Sequence, residues 1–248
     1  MKLSVIVITK NEAGHIGACL DSVAFADEII VVDSGSTDAT CDLARQHGAR
    51  VIVTEDWPGF GPQKNRALDL VTGDWVLSID ADERVTPELA LAIQAVLQAP
   101  DADAYRIARL STFCGRWIRH SGWWPDYVVR LFRRDAGRFT GAAVHERVQV
   151  QGRTGTLEGH FLHYPYANLE IFIDKINRYS TEAARSAFEQ GRRTSLLGPF
   201  GHAAWTFIRH YLLRRGFLDG WQGLVLAGMA ATGSFYRYVK LYHLGRTR

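Results

Sequence analysis

The first hundred residues alternate short apolar runs with longer amphipathic stretches. Residues 3–9 (LSVIVIT), 28–32 (EIIVV), 50–54 (RVIVT) and 75–79 (WVLSI) are short, β-branched and nearly continuous in apolar character. That pattern predicts strands buried on both faces. Between them, residues 13–25, 37–47 and 62–71 predict helices, with Gly48 as a C-terminal cap and Pro62 in a first turn. Strand–helix alternation specifies a parallel sheet wrapped by helices, and such sheets bind ligands beyond the carboxyl ends of their strands. After Pro100 the pattern loosens. Residues 104–163 mix strands and loops with interleaved aromatics and arginines, as in GRWIRHSGWWPDYVVRLFRR. From Asn168 onward the chain reads as helical, broken near Gly198-Pro199 and Gly216.

The strand ends carry the candidate chemistry. The first strand runs into Thr9-Lys10-Asn11-Glu12, the second into Asp33-Ser34-Gly35-Ser36-Thr37-Asp38, and the fourth into Asp80-Ala81-Asp82-Glu83. Three strand ends therefore bring carboxylates to one sheet edge, where they repel one another unless a cation joins them. A hard divalent ion held with substrate phosphates is the ordinary solution. Taken singly, each end has a plainer reading, because Asp, Ser, Gly and Thr favour turns and caps; Thr37 is placed to cap its helix. Neither a G-x-G-x-x-G after the first strand nor a G-x-x-x-x-G-K-[ST] is present, and Gly59–Lys64 has the wrong spacing for a phosphate loop. There is also no G-x-S-x-G elbow and no zinc-protease histidine spacing.

Composition narrows the class. A chain of 248 residues, 47% hydrophobic and 22% charged, supports a substantial core and excludes disorder. Cys19, Cys41 and Cys114 are odd in number and widely spaced, which reads as free thiols in a reducing compartment. The seven mostly apolar residues before Lys10 are too few for a signal peptide, so a cytoplasmic location is expected. The longest uncharged run, 17 residues from Gly220, contains four glycines and falls short of the roughly 20 apolar residues of a span. Net charge of +3 conceals an asymmetry: residues 1–184 carry a balance of −5 and residues 185–248 a balance of +8.

The order and spacing of SVIVITKNE, VVDSGSTD and QKNRALDLVTGDWVLSIDADE resemble the family 2 glycosyltransferases. The resemblance implies an α/β GT-A fold: a Rossmann-like nucleotide-diphospho-sugar transferase core with a C-terminal helical extension. Residues 1–110 would form the nucleotide-sugar half, 111–167 the acceptor and catalytic part, and 168–248 the basic helical extension. Further segments (GWWPDYVVRLFRR, VHERV, FLHYPY and RRGFLDGWQG) look like a narrower branch, the lipopolysaccharide core β-1,4-glucosyltransferases that act on inner-core heptose.

Carried over residue by residue, the resemblance implies that Thr9, Glu12, Asp33, Lys64, Asp80 and Ala81 line the nucleotide-sugar site. Asp82, the second acid of the D-x-D, would bind Mn²⁺ or Mg²⁺ through the diphosphate. His163 is the candidate for a late metal ligand, against a purely structural role. An inverting displacement needs a carboxylate to take the acceptor proton. Glu146 in VHERV is preferred for this, by the branch's pattern, over Asp126 in WWPD. The plainer alternatives are a salt bridge from Glu146 to Arg147 or Arg130, and a turn after Pro125 for Asp126. Trp123 and Trp124 are placed to stack on an acceptor sugar or to fill core; Arg130, Arg133 and Arg134 to meet acceptor phosphates or to cover a sheet edge.

The donor expected on family grounds is UDP-glucose and the acceptor a lipid-linked saccharide. The arginines and aromatics of residues 192–248 suit an anionic membrane surface, placing the protein peripherally on the cytoplasmic face of the inner membrane. The same stripe also suits packing on the catalytic domain. An acidic body argues against nucleic acid as a partner. Two other functions compete: a sugar nucleotidyltransferase, which would carry a glycine-rich phosphate loop after the first strand, and a non-catalytic nucleotide-sugar sensor or membrane scaffold.

Overall fold

A computed structural model describes residues 1–141, 147–165 and 169–246. The chain divides into two units: Met1–Arg109 with Asp126–His163, and Leu110–Pro125 with Tyr164–Arg248. Residues 110–125 thus belong with the C-terminal helices and not with the segment that follows them.

In the first unit the elements run β1 (Leu3–Thr9), α1 (Ile16–Asp21), β2 (Glu28–Asp33), α2 (Thr40–Gln46), β3 (Arg50–Val53), α3 (Phe60–Leu68) and β4 (Trp75–Asp80). They continue through β5 (Glu83–Val85), α4 (Pro87–Gln98), β6 (Ala104–Phe113, its last four residues in the second unit), β7 (Arg116–Trp117, also in the second unit) and β8 (Asp126–Arg133). β9 (Gly137–Phe139), β10 (Val148–Val150) and β11 (Thr154–His163) complete it. Among the described residues the main sheet has the order β3-β2-β1-β4-β8-β6-β11-β5. β3, β2, β1 and β4 are mutually parallel, whereas β8 runs antiparallel to β4 and β6.

All seven residues of β1 are buried, as its unbroken apolar run requires. Alternate side chains serve two cores. Val5 and Val7 join Val31, Leu77 and Ile79 with the apolar faces of α1 and α4, while Ile6 and Ile8 join Ile30, Val32 and Val76 against α3. Each such side chain, fully buried, contributes about 1.5–3 kcal/mol.

The four expected strands form with ends within a residue of those read from the sequence. The helices are shorter. Glu12 O accepts from the amides of both His15 and Ile16, so a turn precedes α1 and delays its start. Thr37 does not cap α2: Ala39 holds that position, and the amide of Thr37 donates instead to Asn11 Oδ1 at 2.8 Å. Gly48, at φ +80°, follows the α2 cap in the left-handed conformation that suits glycine. Pro62 lies in the first turn of α3. Asp126 is no turn residue; it opens β8 opposite Arg109 of β6.

The second unit consists of α5 (Leu169–Glu189), α6 (Gly198–Ile208), a π-helical turn (Arg209–Leu213), a 3₁₀ turn (Gly216–Asp219) and α7 (Gly220–Leu244), with residues 110–125. α7 packs on both α5 and α6. Phe113, Ile118, Phe172 and Leu226 form one apolar cluster, with Trp123 against it, and Ala184, Ala187 and Leu241 form another. Lys240 Nζ ties α7 to α5 through Asn177 Oδ1 at 2.8 Å and Thr181 Oγ1 at 2.7 Å. Among the described residues no helix is long and apolar enough to cross a membrane.

Candidate active site

Strand register determines where the polar strand ends meet. Thr9 lies beside Asp33, and Ile8 beside Asp80, so β1, β2 and β4 end at one sheet edge. The loops leaving β1 and β2 are tied together there. Asn11, at φ +56°, donates its amide to Ser36 Oγ at 2.7 Å, and the Glu12 amide donates to Thr40 Oγ1 at 2.8 Å. Left-handed backbone is tolerated by Asn better than by most residues. Asp33 is fully buried and accepts from the amide of Ser36 at 2.7 Å and from its hydroxyl. Thr9 is buried too, and among the described residues its Oγ1 has no hydrogen-bond partner.

Asp80 is held by two cations. Lys64 Nζ on α3 lies 2.9 Å from Oδ1, and Arg130 Nη2 on β8 lies 2.5 Å from Oδ2. Both cations are nearly fully buried. Burial alone would raise the Asp80 carboxyl, but the charges and hydrogen bonds of Arg130 and Lys64 outweigh it and hold the group well below the usual carboxylate range. Arg130 also reaches Glu83 Oε1 at 3.1 Å. Glu83 is fully buried, and its Oε2 accepts the Asp80 amide at 3.0 Å. A lattice of two acids and two cations thus fixes the D-x-D segment, whose middle residue, Ala81, is buried. Arg130 is committed inside this lattice and does not cover a sheet edge. Arg133 lies over the Trp75 ring at 5.1 Å, and Arg134 Nη1 donates to Val71 O at 3.3 Å.

Asp82 and His163 come together. His163 ends β11, opposite Glu83 in register, and its Nε2 lies 3.5 Å from Asp82 Oδ2. One carboxylate and one imidazole, both partly open, suit a Mn²⁺ or Mg²⁺ ion that takes its other ligands from phosphate and water. Asp80 is already engaged by Lys64 and Arg130. Among the described residues no group of three or more His, Cys, Asp or Glu side chains gathers to hold a metal by itself.

Of the two candidate bases, Asp126 receives the Arg109 guanidinium, with Nε 3.0 Å and Nη2 2.5 Å from Oδ2. Arg109 also stands 3.5 Å from Glu83 Oε1, which links Asp126 to the buried lattice. Glu146 lies outside the described residues. Glu12 is half-buried on the loop after β1. Arg109, Arg130 and Glu83 escaped the sequence reading as a network. The available signal was Arg130 itself, a charge within the apolar run VVRLF of a strand.

In the second unit Trp123 packs edge-on to Phe113 at 6.0 Å and to Phe172 at 6.2 Å, and so is largely core. Large apolar side chains are exposed there, among them Leu197, Phe200, Trp205, Leu213 and Trp221.

A parallel α/β sheet continued by antiparallel strands, with polar residues gathered at its carboxyl edge, is a fold of the GT-A type. Residues 4–157 match the family model described as glycosyl transferase family 2, and the chain belongs to that family. It is 32% identical to an uncharacterized glycosyltransferase of Rickettsia typhi, over 98% of this chain and 87% of that one. It is 31% identical to the lipopolysaccharide core biosynthesis glycosyltransferase LpsC of Rhizobium meliloti, over 98% of this chain and 92% of that one. Among solved structures, residues 1–349 of TarS from S. aureus align with a TM-score of 0.52 at 19% identity, over 100% of this chain and 92% of that one. The protein is a glycosyltransferase of the family 2 type, with a relative named for lipopolysaccharide core biosynthesis.

Proposed function

We propose that this enzyme transfers glucose from UDP-glucose, with inversion, to a lipid-linked saccharide, the inner-core heptose of lipopolysaccharide. The observation that carries the donor part is the meeting of Asp82 and His163 beside an Asp80 already neutralised by Lys64 and Arg130. That arrangement leaves Asp82 and His163 to deal with a diphosphate and its cation. A TarS structure contains UDP-GlcNAc, and this chain shares that protein's fold. The acceptor part draws on the name of LpsC and on the basic, aromatic second unit.

In this reading Thr9, Glu12, Asp33, Lys64, Asp80 and Ala81 line the nucleotide-sugar pocket. Thr9 Oγ1, buried and among the described residues without a partner, is a group that a ligand hydroxyl or amide would satisfy. Asp82 and His163 would hold Mn²⁺ or Mg²⁺, which supplies Lewis-acid neutralisation of the diphosphate when bound. The acceptor hydroxyl attacks the anomeric carbon from the side opposite the diphosphate. The bond from that carbon to the diphosphate oxygen breaks, and its electron pair leaves with UDP. A carboxylate takes the hydroxyl proton, Glu146 by preference. Arg109 engages Asp126 Oδ2 with two donors, which supports a positioning role for Asp126. The exposed apolar side chains and arginines of the second unit support peripheral attachment to an anionic membrane on the cytoplasmic side.

The test is UDP release from UDP-glucose with and without lipopolysaccharide core acceptor truncated at the inner heptose. Acceptor-stimulated release with formation of a glucosylated product supports the reading. Release of pyrophosphate from UTP and glucose 1-phosphate would instead identify a sugar nucleotidyltransferase, and binding without turnover a sensor or scaffold.

A further inference from the structure

We propose that the second unit carries a phosphate-binding pocket, separate from the strand-edge site and independent of the donor reading. Arg119, Arg214 and Arg215 surround a cavity of about 360 Å³, with His120 and Trp124 in its wall. That volume falls in the ~300–1,000 Å³ range of small-molecule sites.

The charges around this cavity are not balanced from within. In the first unit the arginines at 66, 109, 130 and 138 each meet a carboxylate. Among the described residues none of the guanidiniums of Arg119, Arg214 and Arg215 does. Asp219, bonded to the 119–120 segment, is buried and already engaged. It accepts the amides of Arg119 at 3.2 Å and His120 at 3.0 Å, and lies 3.0 Å from His120 Nδ1. Asp219 therefore braces the 119–120 backbone and leaves three guanidinium-bearing side chains lining one cavity. Three like charges around a concavity favour an anion between them.

The pocket is also built. Arg214 lies directly on Gly122, where an added Cβ would fall 2.0 Å from its Nη1, and Gly122 has φ +78°. The Ser121 amide donates to Arg214 O at 3.0 Å. Ser121 at φ +58° and Arg215 at φ +54° both adopt left-handed backbone. Left-handed backbone is disfavoured for a non-glycine residue, so the surrounding packing must sustain it. Arg119 stands 5.9 Å over the Trp124 ring, which orients one guanidinium plane. Planar guanidiniums bind phosphate oxygens in pairs, which a point-charge lysine does not. The ligand class is accordingly a phosphate ester, carried by a soluble phosphorylated saccharide or by a phospholipid headgroup. Leu213 at the pocket rim, 63% exposed, suits either an acyl chain or a lipid-linked sugar.

The experiment is calorimetric titration of the full chain with glucose 6-phosphate, alongside flotation with phosphatidylcholine vesicles with and without phosphatidic acid. The variants are Arg214→Gln/Arg215→Gln, Arg119→Gln, and an Arg192→Gln/Arg193→Gln control that removes equal charge elsewhere. Expected is at least tenfold weaker binding in the first two and unchanged binding in the control. Binding of glucose 6-phosphate assigns the phosphate to a saccharide, whereas binding of phosphatidic acid vesicles alone assigns it to a headgroup. Should the double variant melt abnormally, the exposed Arg119 carries the test. Equal binding by wild type and pocket variants, or an equal loss in the control, overturns the proposal. Lys64→Met, which touches only the donor reading, should leave this binding unchanged, so the two ideas fail separately.

Discussion

Replacing Arg130 with Met tests whether the buried lattice holds the D-x-D segment. The substitution keeps an unbranched side chain but removes the cation 2.5 Å from Asp80 and 3.1 Å from Glu83. Breaking a buried ion pair from one side typically costs about 3–5 kcal/mol, because the remaining charge is left uncompensated. Here Asp80 keeps Lys64 at 2.9 Å, and Glu83 keeps Arg109 at 3.5 Å and the Asp80 amide at 3.0 Å. Those remaining partners place the expected loss at the lower end, about 3 kcal/mol. At ~2–4 °C per kcal/mol for a chain of this size, the melting point should fall by roughly 6–12 °C. Urea unfolding followed by tryptophan fluorescence reads the loss directly. Adding Glu83→Gln to Arg130→Met removes the buried charge that has lost its nearer cation and should restore at least ~1 kcal/mol. A single-variant loss under about 1 kcal/mol, or a double variant weaker than the single, would refute the reasoning.

Three further outcomes are expected. Gly159→Ala places a Cβ 2.5 Å from the Leu89 amide at φ +78°, and should cost at least ~2 kcal/mol from crowding and left-handed strain together. Gly191→Ala, at the same φ with nothing within 4 Å, should cost only the backbone term of about 1–2 kcal/mol; equal urea midpoints would contradict this. Burial, joined by the charges of Arg214 and Arg209, holds His210 below the ordinary imidazole value despite its bond to Thr206 O. The unfolded chain then takes the proton first, so stability is present above about pH 6.5 and falls as pH drops through the folded value. His210→Asn should flatten melting temperature against pH between 8 and 5, and parallel curves would count against it. Finally, Glu146→Gln should lower kcat by about 10²–10⁴-fold if it is the base, with Asp126→Asn far milder; the reverse order moves the base to Asp126.

The parallel half of the fold was legible because burial on both faces leaves an unmistakable signal. LSVIVIT and WVLSI have few polar positions, and the polar residues that follow them mark the edge at once. Helix limits were less legible: Glu12 O and the Asn11–Thr37 bond reshape the starts of α1 and α2, and neither is visible in apolar periodicity. The meeting of Asp82 with His163 spans 81 positions of sequence and depends on β11 pairing with β5, a register that no local pattern encodes. The Arg109–Glu83–Arg130–Asp80 lattice was missed for the same reason. Its members come from β6, β5, β8 and β4, so no local stretch of sequence holds their pairing. Residues 110–125 joined the C-terminal helices through Phe113 and Ile118, whose apolar partners Phe172 and Leu226 lie far along the chain.

The most direct test of the donor site is calorimetric titration of UDP-glucose into the full chain with Mn²⁺, with EDTA, and into Asp82→Ala. Binding with Mn²⁺ should fall at least tenfold in EDTA and equally in Asp82→Ala, with the variant's melting profile unchanged. Binding that ignores both the ion and Asp82, or no binding of any nucleoside diphosphate sugar to the folded protein, would contradict it.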